Sequence, residues 1–233
     1  MPAPEVRPGR SRANWAVRTP LADWLAAEAR RAHDDLGRYR VLDVGCGFKP
    51  YEPFFAPFAD AYVGVDSGDN AAADLVGSAE ELPVEDASFD VVICSQVLEH
   101  VDDPARVVRE LHRATAPGGR VLASTHGVHV YHPSPQDLWR WTHEGLTRLF
   151  EQNGDWAGID VRGGTGTTTT LGYLIATYVD FLFQRLHAQR AAAPLIAAIN
   201  GLASAVDARS ATLRGLGPGS LTANYHVVAE KAR

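Results

Sequence analysis

From Pro20 onward, apolar residues recur at helical spacing: Leu21, Trp24, Leu25 and Ala29, then Ala32 and Leu36. The rhythm then changes. Tyr39-Arg-Val-Leu-Asp-Val44 is a short apolar run that ends in glycines, which predicts a buried strand entering a tight turn. Residues 61–66 repeat the grammar and end on an acid, 73–77 give a shorter version, and Phe89–Ser95 is apolar enough to be covered on both faces. A helix is expected over 104–116, opened by Pro104, stopped by Pro117-Gly-Gly119, with Val107, Val108 and Leu111 on one stripe. A strand over 120–125, a helix over 143–152 (Leu146, Leu149 and Phe150 inward) and strands at 159–162 and 224–230 complete the pattern. Strands alternating with helices at this spacing predict parallel βαβ units, hence an α/β, doubly wound, mostly parallel seven-stranded sheet.

The segment 163–222 is too long for a plain loop between the last two strands. It reads as two inserted helices. One carries Leu171, Leu174, Ile175, Tyr178, Val179, Leu182 and Leu186 on one face; the other carries Leu195, Ile199, Leu202 and Val206. This insertion is expected to act as a lid over a pocket or as a homodimer interface. The stretch 171–186 is broken by Asp180, Gln184 and Arg185, so it offers no uninterrupted bilayer-spanning run; surface binding needs a cationic polar face, to which only Arg185, Arg190, Arg209 and Arg214 contribute, so membrane contact is not expected. Residues 1–19 mix Pro, Arg and Ser and read as a loose N-terminal arm on a single domain of residues 1–233.

The chain has 233 residues, 45% of them apolar and 21% charged, with net charge −6. That balance excludes a disordered chain and argues against a nucleic-acid partner, since no basic stripe dominates any segment. Cys46 and Cys94 cannot make a disulfide framework and read as small buried residues. With no apolar leader at the N-terminus, a soluble, cytoplasmic protein is expected.

The chemistry starts at Gly45-Cys-Gly47-Phe-Lys-Pro50. Here proline stands where a dinucleotide fingerprint needs a third small residue for helix–strand packing. Asp66 ends the next strand, where a carboxylate can accept ribose hydroxyls. No Walker sequence is present. A nucleoside-type ligand without a pyrophosphate therefore suits the turn better than NAD or ATP. The ordered set Val-Leu-Asp-Val-Gly-Cys-Gly, Val-Gly-Val-Asp66, Gly77-Ser-Ala-Glu-Glu-Leu-Pro83, Ser88-Phe-Asp-Val-Val, Leu98-Glu-His100 and Ala116-Pro-Gly-Gly119 resembles the class I S-adenosylmethionine-dependent methyltransferases. The nearest group is the small bacterial enzymes similar to the ubiquinone and menaquinone methyltransferases. The resemblance implies S-adenosyl-L-methionine as cofactor and S-adenosyl-L-homocysteine as product. It puts Gly45, Cys46 and Gly47 against the methionine portion, Asp43 near the amino group, and Asp66 with Ser67 at the ribose. It also puts Ser78, Ala79 and Glu80 at the adenine, and Ser95 and Gln96 facing the cofactor. Ser78 stands where many relatives have an aspartate that accepts the adenine amino hydrogen bond.

Acceptor candidates cluster after the fifth strand. Residues 124–143 carry four of the nine histidines, and the His-x-x-Pro-x-Asp-x-x-Arg-x-Thr arrangement resembles a stretch found in methyltransferases of sugar and secondary-metabolite pathways. His126 and His132 are the expected bases, with His100 facing the transferred methyl. Tyr131, Asp137, Arg140 and Trp141 are expected to meet a small-molecule acceptor; for Asp137 and Arg140 an ion pair closing the loop is the competing reading. His126-x-x-His129-x-x-His132 has metal-like spacing, but no helical pattern holds the three rings together, so no metal is expected. The expected activity is O-methylation of a sugar or secondary metabolite. Two alternatives stay open: a cyclase-like use of the cofactor, and a non-catalytic partner subunit.

Overall fold

A computed structural model describes residues 5–68, 70–133 and 135–233. Its strands are β1 (Tyr39–Val44), β2 (Ala59–Asp66), β3 (Leu75–Val76), β4 (Phe89–Ser95), β5 (Thr115–His126), β6 (Trp156–Gly163) and β7 (Asn224–Lys231). They form one sheet in the order β3-β2-β1-β4-β5-β7-β6. β1 pairs in parallel with β2 and β4, and β4 with β5, while β7 runs antiparallel between β5 and β6. Strand order reverses between β1 and β4, so their carboxyl ends flank the crevice where open α/β sheets bind ligands.

The pleat sorts the core residues. Leu42, Val44, Val92 and Cys94 face α3 (Pro104–Ala114) and α4 (His143–Glu151), where Val107, Leu111, Leu146 and Phe150 complete one buried cluster. Val41, Val91 and Ile93 face the other way, onto Leu21, Leu25 and Ala29 of α1 (Trp15–Leu36) and Phe55 of α2 (Glu52–Phe55). Asp103 caps α3 by accepting the Arg106 N–H at 3.0 Å, and Thr142 caps α4 by accepting that of Gly145 at 3.1 Å.

Several boundaries differ from the sequence expectation: β2 starts at Ala59, β3 shrinks to Leu75–Val76, β6 extends over Trp156–Gly163, and larger changes fall at α1 and between α3 and β5. α1 begins at Trp15 and takes Pro20 into its interior, so most of the expected arm is ordered; residues 1–4 lie outside the described residues. Buried Asn200 donates to the carbonyls of Arg10 and Arg12 at 2.8 and 3.1 Å, strapping the arm down. α3 ends at Ala114, and Pro117-Gly-Gly119 runs as strand inside β5: Pro117 forbids helix at the residue before it, and Thr115 already closes α3 by donating to the Leu111 carbonyl at 2.7 Å.

The insertion forms α5 (Thr167–Arg185), α6 (Gln189–Arg209) and a short α7 (Ala211–Arg214). α5 and α6 pack through small residues: a Cβ on Gly172 would lie 2.7 Å from that of Ala203, and Ala176, Ala192 and Ile196 are buried between them. Asp207 of α6 caps α5, accepting the N–H groups of Thr168 and Thr169 at 3.0 and 2.7 Å. The larger apolar stripes point outward, with Ile175, Tyr178, Leu182 and Leu202 all exposed. α6 has a mean hydropathy of 1.4 in its most apolar window, making it long and apolar enough to cross a membrane by composition. This property lies beyond the stretch 171–186, and by itself says nothing of where the chain resides.

Candidate active site

The turn after β1 is built on two left-handed glycines. Gly45 has φ +69°, and a Cβ there would strike Val97 at 2.4 Å; Gly47 has φ +52° and open space where its Cβ would be. Asp66, at the end of β2, fastens this turn. Its Oδ2 accepts the Gly47 N–H at 2.9 Å and Asn70 Nδ2 at 2.7 Å, while Oδ1 accepts the Ser67 N–H at 2.8 Å. Asp43 is buried beneath the turn and accepts the Tyr62 hydroxyl at 2.6 Å; burial pushes its carboxyl up to about 7. The Cys46 side chain is buried against Gly64, where a Cβ would lie 2.7 Å from its sulfur, and burial raises its thiol to about 12. It is packing, not a nucleophile.

A cavity of about 180 Å³ opens over this turn, lined by Asp43, Gly45, Cys46, Gly47, Ser95 and Gln96, with Arg18 and Tyr51 on its far side. Gln96 is held in a left-handed conformation (φ 59°), and its Nε2 donates to Ser124 Oγ at 3.0 Å and Asn224 Oδ1 at 2.9 Å. Arg18 forms no ion pair among the described residues and sits beside the Tyr51 hydroxyl, so the cavity lining holds both a cation and a buried acid. That donor set suits an amino-acid zwitterion. Ser78, Ala79 and Glu80, expected at the adenine from sequence, do not line this cavity. Ser78 Oγ accepts the Glu80 N–H at 3.1 Å, Glu80 Oε1 accepts the Asp103 N–H at 3.0 Å, and Ala79 packs on the core.

Arg18, Tyr51 and Gln96 also line a second chamber of about 1050 Å³, so the two spaces share a wall. Its floor is Glu99, His100, His126, His129 and His132; α5 contributes Tyr173, Thr177 and Asp180, and α6 contributes Arg190 and Ile196. His126, on the last residue of β5, is buried, and its Nε2 lies 3.2 Å from Glu99 Oε1. Glu99 Oε2 accepts Thr125 Oγ1 at 2.8 Å. Burial raises the Glu99 carboxyl to about 7; burial, with the neighbouring His129 and Arg140, lowers His126 to about 2. The His126 and His129 rings stack 3.7 Å apart, and His129 Nε2 meets the Tyr173 hydroxyl at 2.7 Å. His100 and His132 approach ring to ring at 5.8 Å. The stacked rings do not converge on a common point, and among the described residues no three His, Cys, Asp or Glu side chains form a metal-ligand set.

The four expected acceptor contacts lie off this chamber. Asp137 and Arg140 bind each other, Arg140 Nη2 donating to Asp137 Oδ2 at 2.7 Å and to the Val130 carbonyl at 3.0 Å, while the His132 N–H donates to Asp137 at 2.8 Å. The guanidinium holds the Asp137 carboxyl well below the ordinary range. This pair is the clasp that closes the loop carrying the histidines. Tyr131 is exposed, and Trp141 packs on the core beside α4. Sequence reasoning missed Glu99 as a chamber group, along with Arg18, Tyr51 and Tyr173. Glu99 was visible beside His100, but nothing local signals its burial; the other three come from elements whose approach only the fold shows.

A parallel sheet with a reversed β7, a glycine turn gated by Asp66 and a chamber at the switch point define an S-adenosylmethionine-type methyltransferase fold. A family model described as "Methyltransferase domain" matches residues 14–161, and the chain belongs to that family, with the class I motifs in order. Over 104 residues the chain is 36% identical to the ubiquinone biosynthesis O-methyltransferase of Pseudomonas aeruginosa, covering 37% of this chain and 44% of that one. The chain thus matches less than half the length of that relative. The fold is shared with a SAM dependent methyltransferase from Archaeoglobus fulgidus (TM-score 0.54, 16% identity, 90% of this chain and 94% of that one). It is also shared with the 4+2 cyclase SpnF (TM-score 0.56, 19% identity, 99% and 85%).

Proposed function

We propose that the protein methylates an oxygen of a small hydroxylated acceptor, of the sugar or secondary-metabolite kind, using S-adenosylmethionine. One observation carries this reading: the zwitterion-sized cavity over the glycine turn and the histidine-floored chamber share Arg18, Tyr51 and Gln96. The curated relatives' O-methyltransferase names support an oxygen acceptor.

When bound, the cofactor supplies an electrophilic methyl group on a sulfonium. Asp43 and Arg18 would hold the amino and carboxyl ends of its methionine portion, and the Gly47 turn would let it approach the backbone. Asp66 and Ser67 would receive the ribose, with Ser78, Ala79 and Glu80 toward the adenine. The wall that Arg18, Tyr51 and Gln96 share between the two spaces would orient an acceptor toward the bound group. An acceptor hydroxyl must also lose its proton. His126 Nε2 lies 3.2 Å from Glu99 Oε1, and Glu99 Oε1 and His126 Nδ1 both lack a hydrogen-bond partner among the described residues, so this pair is the proton acceptor an entering hydroxyl would meet. His100 and His132 complete the wall around the reacting oxygen. The test is release of S-adenosylhomocysteine from a panel of hydroxylated acceptors. Wild type should turn over one class and His126→Ala should not, at unchanged cofactor affinity; equal turnover would remove His126 from the chemistry.

The 4+2 cyclase among the fold neighbours supports one other use, in which the cofactor binds without donating its methyl. Acceptor-dependent product from a protein that never releases S-adenosylhomocysteine would favour it.

A further inference from the structure

The outer face of the α5–α6 hairpin has no partner among the described residues, although its inner face walls the chamber. Leu171, Ile175, Tyr178 and Leu182 form one outward stripe on α5, and Leu195, Leu202 and Val206 another on α6. Ile175 is 55% exposed and Leu202 71% exposed, values far above those of core residues. The small residues Gly172, Ala176 and Ala203 fill the contact between the helices, which turns the bulky side chains outward.

The charge around this face is of one sign. Residues 164–222 contain four arginines and two aspartates, a balance of +2 in a chain of net −6. Arg185 stands beside the three-residue connection between the helices, its guanidinium over the Phe181 ring, and Arg209 and Arg214 stand at the opposite end; these three are exposed, while Arg190 lines the chamber. Of the two aspartates, Asp207 is buried as the cap of α5, and half-buried Asp180 accepts Gln184 Nε2 at 2.8 Å and lines the chamber. Apolar side chains along the middle with arginines at both ends match a surface-lying amphipathic hairpin, its arginines reaching phosphates at either side. A second copy of the chain is a poorer occupant, because two such faces would bring arginines together with no exposed carboxylate to pair them.

We infer that the α5–α6 hairpin docks on an anionic lipid surface, placing the chamber's α5–α6 wall next to the bilayer. The inference does not depend on the methyl-transfer chemistry. The experiment is sedimentation of the full chain with vesicles of equimolar phosphatidylglycerol and phosphatidylcholine, against vesicles of phosphatidylcholine alone, with light scattering to count copies in solution. Wild type should partition to the anionic vesicles, and each of Arg185→Gln and Arg209→Gln should weaken that by about fivefold. Ile175→Ser/Leu182→Ser/Leu202→Ser, at exposed positions that leave the fold intact, should abolish it while melting as wild type does. Three results overturn the inference: wild type left in the supernatant, a triple variant that binds as well as wild type, or a dimer in solution that the triple substitution splits.

Discussion

Glu99 Oε1 and His126 Nε2 lie 3.2 Å apart at the floor of the chamber, both side chains buried, one after β4 and the other ending β5. Parallel pairing sets this up, because Cys94 opposite Ala123 and Ser95 opposite Ser124 bring both strand ends to one edge. Burial favours the uncharged form of both groups, and the close approach sets the imidazole and the carboxyl side by side at the chamber floor.

Glu99→Gln should therefore lower turnover by about 10²–10⁴-fold, the range of a lost proton-transfer partner. S-adenosylhomocysteine affinity, measured calorimetrically, should stay as in wild type, since Glu99 lines only the acceptor chamber. A variant with wild-type turnover would make the pair structural.

The same substitution has a signature in stability. Burial raises the Glu99 carboxyl from 4.5 to about 7, so between those values the folded state keeps a proton that the unfolded chain releases. The stability this contributes is present below pH 4.5 and is lost as pH rises through 7. Glu99→Gln removes the titration, so its melting temperature relative to wild type should climb from pH 5 to pH 8. A pH-independent difference would show that Glu99 titrates normally.

Asp66→Ala removes the acceptor of the Gly47 and Ser67 N–H groups and of Asn70. S-adenosylhomocysteine should bind more weakly by about 1–3 kcal/mol, as expected when a hydrogen-bonded partner is deleted. Unchanged affinity would move the cofactor away from β2.

Gly45 and Gly47 separate folding from binding. Both have left-handed φ, a strain of about 1–2 kcal/mol for alanine, but only at Gly45 would the new methyl collide with Val97. Gly45→Ala should thus lower the melting temperature more than Gly47→Ala does. Gly47→Ala, whose methyl enters open space over the turn, should lose cofactor affinity by more than its small loss of stability accounts for.

Asn200→Leu strips the partner from two arm carbonyls and should expose the chain around Arg10 and Arg12 to trypsin. A cleavage rate equal to that of wild type would show that the arm is held by other contacts.

The sheet was legible because its strands are bounded by glycines and acids and the central ones, β1 and β4, are mostly buried; 224–230 and β7 differ by one residue at the carboxyl end, while β6 starts three residues before 159–162. Helix α1 was clipped because Pro20 reads as a helix start, whereas the fold accepts it one turn inside. The insertion was legible as two helices but not in its facing. Periodicity finds an apolar stripe and assumes that the largest residues pack, whereas here Gly172, Ala176 and Ala203 do. At the site, the glycine turn and the histidines were readable as motifs. The Asp137–Arg140 clasp could be read as either a loop closure or a substrate contact, and their bond to each other favours the closure. Arg18 and Tyr173 carry no motif; they reach the chamber through α1 and α5.

Whether the turn after β1 holds the cofactor beside an acceptor chamber is decided by parallel calorimetric titrations of S-adenosylhomocysteine and NAD into the purified protein. Saturable one-to-one binding of S-adenosylhomocysteine, weakened in Asp66→Ala, with no heat from NAD is the expected result; binding of NAD, or of neither, would overturn the proposed site.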